Sequence, residues 1–346
     1  MQPNAPSELN CVGLVIIGRN EGERFRECLE SLPPGLPTIY VDSGSTDDSV
    51  ALAEAAGVQV VHLSSKPGFT AARARNAGWQ ALLAEHSHLR FIQFLDGDCA
   101  LDPNWLKSSL AEIVNQREFA VVFGQLKERY PERSFFNAMC DREWDVPIGA
   151  VRACGGNALI RVKALLQADG YNEKLIAGEE PDLCLRMRAQ GWSIHRIPPK
   201  MATHDAAILD FGSWWKRARR AGHAYAEHVA SHKRFADPDW MRALASMTVW
   251  AIFIPGLSIF GVLAAIFSNP LYLIFSLVGG LAFVLQFIRL MRRRVADGLT
   301  TQVAYGEAFL LLMAKFAHFA GAVTYCFNKL SGRRARIIEY KLSSTE

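Results

Sequence analysis

Phe91-Ile92-Gln93-Phe94-Leu95-Asp96-Gly97-Asp98 is a short apolar strand running into two carboxylates separated by a glycine. Three similar runs precede it. Val12 to Ile17 is apolar and β-branched and stops at Gly18, Thr38 to Val41 leads into Asp42-Ser43-Gly44-Ser45-Thr46-Asp47-Asp48, and Val58 to Leu63 forms the third. Helical patterns fill the gaps: Glu23 to Leu32, with Phe25, Leu29 and Leu32 on one face, Ser49 to Ala56, with Thr46 or Asp47 as N-cap, and Ala71 to Leu83. Strands alternating with helices predict a parallel α/β sheet covered on both faces.

In open sheets of this kind ligands sit beyond the carboxyl ends of the strands. Polar clusters follow three of those ends, at Arg19-Asn20-Glu21, at Asp42 to Asp48 and at Asp96 to Asp98. No Gly-x-Gly-x-x-Gly follows the first strand and no Gly-x-x-x-x-Gly-Lys-Ser/Thr occurs, which disfavours a dinucleotide dehydrogenase or a P-loop enzyme. Asp-Gly-Asp is common in solvated turns. At a strand end it can also hold a hard divalent cation through oxygen while leaving room for substrate phosphates. Gly178-Glu179-Glu180-Pro181-Asp182-Leu183-Cys184-Leu185-Arg186 reads as a helix start with Pro181 in the first turn. Its acids are capping residues at the least. A carboxylate fixed there could also remove a proton from an attacking hydroxyl.

The ordered set Val15-Ile16-Ile17-Gly18-Arg19-Asn20-Glu21, Val41 to Ser49, Ala72-Arg73-Ala74-Arg75-Asn76-Ala77-Gly78, Asp96-Gly97-Asp98, Gly155-Gly156-Asn157 and Glu179 to Arg186 resembles family-2 glycosyltransferases of the GT-A fold. The resemblance covers about Val12 to His204. It implies a Rossmann-like α/β domain that takes a sugar from a nucleotide-sugar donor, a UDP-sugar first, with inversion and with Mg²⁺ or Mn²⁺. Position by position, it implies nucleotide-sugar contacts from Arg19, Glu21, Asp42, Gly44, Arg75, Asp96 and Asp98, and metal binding by Asp98 with His204. It implies Glu180 as catalytic base beside Glu179, although the family generally has Glu-Asp there and no following proline. Gly156, Asn157, Asp182, Trp214, Trp215, Arg217 and Arg220 fall to the acceptor and phosphate region. The processive members' Gln-x-x-Arg-Trp motif is absent, which implies one sugar per encounter.

The remainder of the chain is of a different composition. Half of the 346 residues are apolar, 21% are charged, and 38 Lys and Arg face 34 Asp and Glu. That apolar content is ample for a core and rules out disorder. Leu244 to Glu346 holds 10 basic and 4 acidic residues, so the positive excess lies in the C-terminal third. The 46 residues between Arg242 and Arg289 carry no Asp, Glu, Lys, Arg or His. As helix they would extend about 69 Å, enough for two crossings of a hydrocarbon layer roughly 30 Å thick.

Leu244 to Phe267 and Leu271 to Ile288 are the expected transmembrane helices, joined by Ser268-Asn269-Pro270. Arg289, Arg292, Arg293 and Arg294 return the chain to the cytoplasm by the positive-inside rule. Val303 to Phe327 carries Glu307, Lys315 and His318 on one face. An amphipathic helix lying in the interface is the preferred reading there, and a third membrane helix the alternative.

The organisation expected is thus 1–205 catalytic, 206–243 basic and aromatic interfacial helices, 244–288 a transmembrane hairpin, and 289–346 a basic loop, the 303–327 helix and a basic tail. Lys216 to Arg220, beside Trp214 and Trp215, fits anionic headgroups or phosphates, and no fold signal supports nucleic acid as a partner. Seven cysteines without Cys-x-x-Cys suggest a reducing compartment and support neither a disulfide framework nor a zinc site. The polar Met1 to Asn10 is not a cleavable signal, so the expected location is the bacterial inner membrane with the catalytic domain cytoplasmic. The expected acceptor is a membrane-held, lipid-linked saccharide. A polyprenyl-phosphate glycosyltransferase and a non-catalytic sugar-nucleotide-binding scaffold of a polysaccharide assembly complex are the alternatives.

Overall fold

The central strand β1 (Val12–Gly18) is apolar on both faces, and its first five residues are buried. It lies between β2 (Thr38–Asp42) and β4 (Phe91–Asp96), with β3 (Gln59–His62) outside β2, and all these pairings are parallel. The register pairs Gly18 with Asp42 and Ile17 with Asp96. Three strands therefore end side by side, and the three polar clusters open on one edge of the sheet. This computed structural model describes residues 9–232 and 237–332. The basic tail at Arg333, Arg334 and Arg336 and the first eight residues of the polar N-terminus lie outside the described residues.

The connections are helices α1 (Glu23–Glu30), α2 (Ser49–Ala55) and α3 (Ala71–Glu85). Thr70 caps α3, its hydroxyl accepting from Arg73 N at 3.2 Å. The N-cap of α2 is Asp48 without a side-chain bond. Asp47 sits one residue earlier than a cap, and its carboxylate accepts from Ser49 N and Gly22 N, both at 3.0 Å. It thereby ties the start of α2 to the loop after β1.

Beyond Asp98 the sheet is mixed, which corrects the expectation of a parallel one. β8 (Ala158–Arg161) runs antiparallel to β4, β6 (Phe119–Glu128) antiparallel to β8, and β9 (Ser193–His204) parallel to β6. β5 (Cys99–Leu101) and β7 (Gly149–Val151) run antiparallel to β9. The order is β3-β2-β1-β4-β8-β6-β9-β5, with β7 beside β9. Strand-helix alternation fixes direction where one helix crosses between sheet neighbours. In this half the neighbours are not consecutive in sequence, so alternation carries no pairing information. Helices α4 (Trp105–Asn115), α5 (Phe135–Glu143), α6 (Val162–Gln167) and α7 (Glu179–Ala189) complete this unit, which reaches Phe211.

The second unit begins at Gly212. Helix α8 (Phe211–His232) enters it, followed by α9 (Pro238–Thr248), a π-helical turn, α10 (Ile254–Phe267), α11 (Leu273–Ala296) and α12 (Thr301–Leu330). Pro238–Phe267, Pro270–Ala296 and Thr301–Leu330 are each long and apolar enough to cross a membrane. Helices α10 and α11 pack closely where Gly279 meets Ser258 and where Ser276 donates to Ser258 O at 2.7 Å. Ile259, Phe260, Ile266, Leu277, Leu281 and Leu285 point outward. An exposed apolar surface of this size marks a membrane or protein contact.

The charged stripe of α12 is covered by protein. Glu307 is buried and pairs with Arg294 Nε at 3.0 Å, and the His318 ring meets Tyr225 of α8 edge-on at 5.3 Å. Polar groups in such a helix are expected to turn toward partners.

Candidate functional site

The loop after β2 is shaped by Asp42, which is buried and accepts from Gly44 N at 3.0 Å and Ser45 N at 3.1 Å. The Tyr40 hydroxyl donates to the same carboxylate at 3.4 Å. Gly44 has φ of 80°, and a Cβ there would come within 2.8 Å of the Phe69 ring. The loop after β1 is stitched to this one: Asn20 N donates to Ser45 Oγ at 3.0 Å and Thr46 N donates to Asn20 Oδ1 at 2.7 Å. Arg19 is exposed, with its guanidinium over the Phe69 ring at 5.5 Å, and Glu21 pairs with Arg24 at 3.1 Å. These contacts join Arg19, Glu21, Asp42 and Gly44 in one wall. Phe69 completes it, and no spacing signal marked that residue.

Arg75 projects from α3 and is 3% exposed. It donates from Nη1 to Glu179 Oε1 at 2.9 Å and from Nη2 to Asp96 Oδ1 at 3.0 Å, and it forms an ion pair with Glu180 Oε1 at 2.9 Å. Its face also lies 5.6 Å from the Tyr171 ring. A Cβ at Gly156 would come within 2.6 Å of Asp96 Oδ2 and would strike the Arg75 guanidinium. Asn157 braces the same strand end, its Oδ1 accepting from Asp96 N at 2.8 Å. Asp96 is thus turned toward Arg75, and the Asp-Gly-Asp pair does not act as two equivalent oxygen ligands.

Asp98 points the other way. Its Oδ2 lies 3.2 Å from His204 Nε2, while the Cys99 thiol is 3.5 Å from Oδ1 and accepts from Asn157 Nδ2 at 3.3 Å. Ligand atoms of Asp98, Cys99 and His204 lie within 4.8 Å of one another. Burial holds the His204 imidazole below its usual pKa and pushes the Cys99 thiol well up. An imidazole that stays neutral is the ligating form, whereas a thiol that keeps its proton is a poor ligand. A carboxylate and an imidazole fit Mn²⁺ or Mg²⁺ with other positions filled by water or substrate oxygen. The Trp144 ring stands edge-on to His204 at 4.7 Å, a neighbour sequence spacing did not mark.

Helix α7 starts after Gly178 with Glu179 and Glu180 in its first turn. Their exposures divide them: the Glu179 side chain is 5% exposed and that of Glu180 is 14%. Burial and the neighbouring Glu179 charge push Glu180 up to about 7, against the opposing pull of Arg75. Asp182 is buried and pairs with Arg186 one turn on at 2.8 Å, so it fastens its own helix. Trp214, Trp215, Arg217 and Arg220 lie on α8 in the second unit, with Trp214 buried at 4% exposure. Among the described residues all seven cysteines are free, although Cys154 and Cys184 approach to 3.7 Å.

Residues 14–166 match the family model described as "Glycosyl transferase family 2". The "Pre-mycofactocin glycosyltransferase" of Mycobacterium tuberculosis is 30% identical over 218 residues, 59% of this chain and 44% of that protein. The match therefore spans less than half the length of that curated relative. Among solved structures, the "Mannosyltransferase PcManGT from Pyrobaculum calidifontis in complex with GDP-Man and Mn2+" has a TM-score of 0.54 at 16% identity, covering 92% of this chain and 88% of that one. A Mycobacterium tuberculosis glucosyl-3-phosphoglycerate synthase with Mn²⁺ and UDP-glucose has a TM-score of 0.46 at 19% identity, over 64% of this chain and 79% of that one. The fold is that of GT-A glycosyltransferases, and homologues of this chain are glycosyltransferases.

Proposed function

We propose, from the family-2 match of residues 14–166, that this protein transfers a single sugar, with inversion, from a nucleotide-sugar donor to an acceptor held at a membrane. The observation that carries this reading is the juxtaposition at one sheet edge of a cation-competent pair, Asp98 and His204, with a first-turn carboxylate, Glu180, beside the strand-end acid Asp96. The wall of Arg19, Glu21, Asp42, Gly44 and Phe69 suits the nucleoside, and the positive Arg19 suits the diphosphate.

Asp98 and His204 would hold Mg²⁺ or Mn²⁺, which supplies positive charge to the departing nucleoside diphosphate. Glu180 takes the proton of the acceptor hydroxyl as that oxygen attacks the anomeric carbon. The bond to the diphosphate breaks as the glycosidic bond forms on the opposite face. With one carboxylate available to the acceptor, a single displacement accounts for inversion without a covalent intermediate.

The acceptor reading rests on the second unit. Its helices expose aliphatic surface suited to lipid, and Lys216 to Arg220 supply charge for anionic headgroups. A lipid-linked saccharide joins both features. The reading places the protein in the bacterial inner membrane, with residues 1–205 cytoplasmic. The test is release of nucleoside diphosphate and a mass gain in a lipid extract, using full-length protein, a panel including UDP-glucose and GDP-mannose, and Mn²⁺. Release abolished by chelation and in Asp98→Ala supports the proposal. Metal-independent release at an unchanged rate in that variant overturns it.

A further inference from the structure

Resting on that reading, we propose that Arg75 is the positioning residue of this site: its guanidinium orients the Glu180 carboxylate and favours its ionised form, and it is not a ligand of the donor. The family resemblance placed Arg75 beside the nucleoside. The geometry assigns it elsewhere.

A guanidinium offers five N–H donors in a rigid fork. Here both terminal nitrogens are engaged, Nη1 with Glu179 and in an ion pair with Glu180 and Nη2 with Asp96, while the buried Nε–H has no hydrogen-bond partner among the described residues. The three carboxylates come from two elements, α7 and β4, and the arginine from a third, α3. The hydrogen bonds to buried Glu179 and to Asp96 fix the guanidinium plane. Glu180 meets that plane through charge alone and keeps the greater exposure, as a group that must receive a proton requires.

The surroundings are built to admit this arrangement. A side chain at Gly156 would displace both the guanidinium and Asp96, whereas one at Gly155 would begin in open space. Cys154 and Cys184 pack together at 3.7 Å and hold that loop against α7. The titratable groups facing Glu180 are Glu179 on its own helix, Arg75 on α3, Asp96 on β4, and Tyr171, Cys154 and Cys184 around them. Arg75 is the sole cation of this set. Burial and Glu179 both oppose ionisation of Glu180, so the arginine charge is what returns it toward the carboxylate form.

The test is a pH titration of full-length protein followed by infrared absorption of the protonated carboxyl group, using the band that disappears in Glu180→Gln. Arg75→Gln is expected to move its midpoint up by about 1 to 3 pH units, the usual effect of an adjacent opposite charge. Arg75→Lys keeps the charge and loses the fork. Its midpoint should stay within about half a unit, while kcat for donor turnover falls about 10- to 100-fold and donor KM changes less than about threefold.

An unmoved midpoint in Arg75→Gln overturns the proposal. So does a tenfold rise in donor KM with kcat intact in Arg75→Lys, the result for a donor ligand. If Arg75→Gln fails to fold, the lysine variant still decides through its split between kcat and KM. Should Glu180→Gln retain full donor turnover, it is the base assignment under the proposed function that fails, whereas the infrared midpoint still reports on Arg75.

Discussion

At the scale of single residues, the site separates its acids by environment. Asp98 sits with a neutral imidazole, Asp96 and Glu179 are hydrogen-bonded to Arg75, and Glu180, the more exposed of the two first-turn acids, is pushed up to about 7. A general base works in its ionised form, and a raised carboxyl is ionised only above its folded pKa. Transfer should therefore rise as pH passes upward through about 7 and level off above it. Glu180→Gln should lose about 10²- to 10⁴-fold in kcat and flatten that rise. A pH–rate profile of the two proteins checks both statements, and an unshifted profile in the variant would remove Glu180 from the reaction. His204→Ala should chiefly weaken the cation, raising the Mn²⁺ concentration needed for half-maximal rate while leaving the profile's position unchanged. A manganese titration of the rate reads this directly.

At the scale of elements, the strand ends were legible because hydrophobic runs stop sharply at small or acidic residues, as at Gly18, Asp42 and Asp96. Their alignment was not, since register depends on pairing that no local pattern encodes. For the same reason Arg75 could be singled out by its motif but not given its partners, which arrive from 21 and 104 positions away. Phe69 and Trp144 left no periodic trace, because each matters through one tertiary contact. Val303 to Phe327 shows the converse, with its polar stripe visible in sequence and the protein that covers it not.

The crossing of α8 and α12 gives this a test. A Cβ at Gly222 would overlap the backbone of His318, whereas one at Gly256 would meet nothing within 4 Å. Gly222→Ala should destabilise the second unit by about 1 to 3 kcal/mol through overpacking, and Gly256→Ala should not lower stability. Thermal unfolding in detergent compares them, and equal melting temperatures would contradict the close crossing.

At the scale of the whole molecule, a mean hydropathy of +0.07 averages two unlike units. One ends its strands in acids. The other has an uncharged stretch of 46 residues followed at once by four arginines within six positions. On the proposed membrane reading, arginines beside a membrane helix resist translocation, so Arg289 to Arg294 should stay on the cytoplasmic side, and two crossings with a turn at Ser268 and Asn269 would return the chain to the side from which it started. On that reading the proposed catalytic residues and these arginines share a compartment with cytosolic sugar nucleotides. A reporter active only outside the cytoplasm should be active when fused after Asn269 and silent when fused after Asp297. Replacing the four arginines with glutamine should weaken that asymmetry. Activity after Asp297 in the unaltered chain would put the catalytic unit on the wrong side for its donor, and the cytoplasmic reading would fall with it.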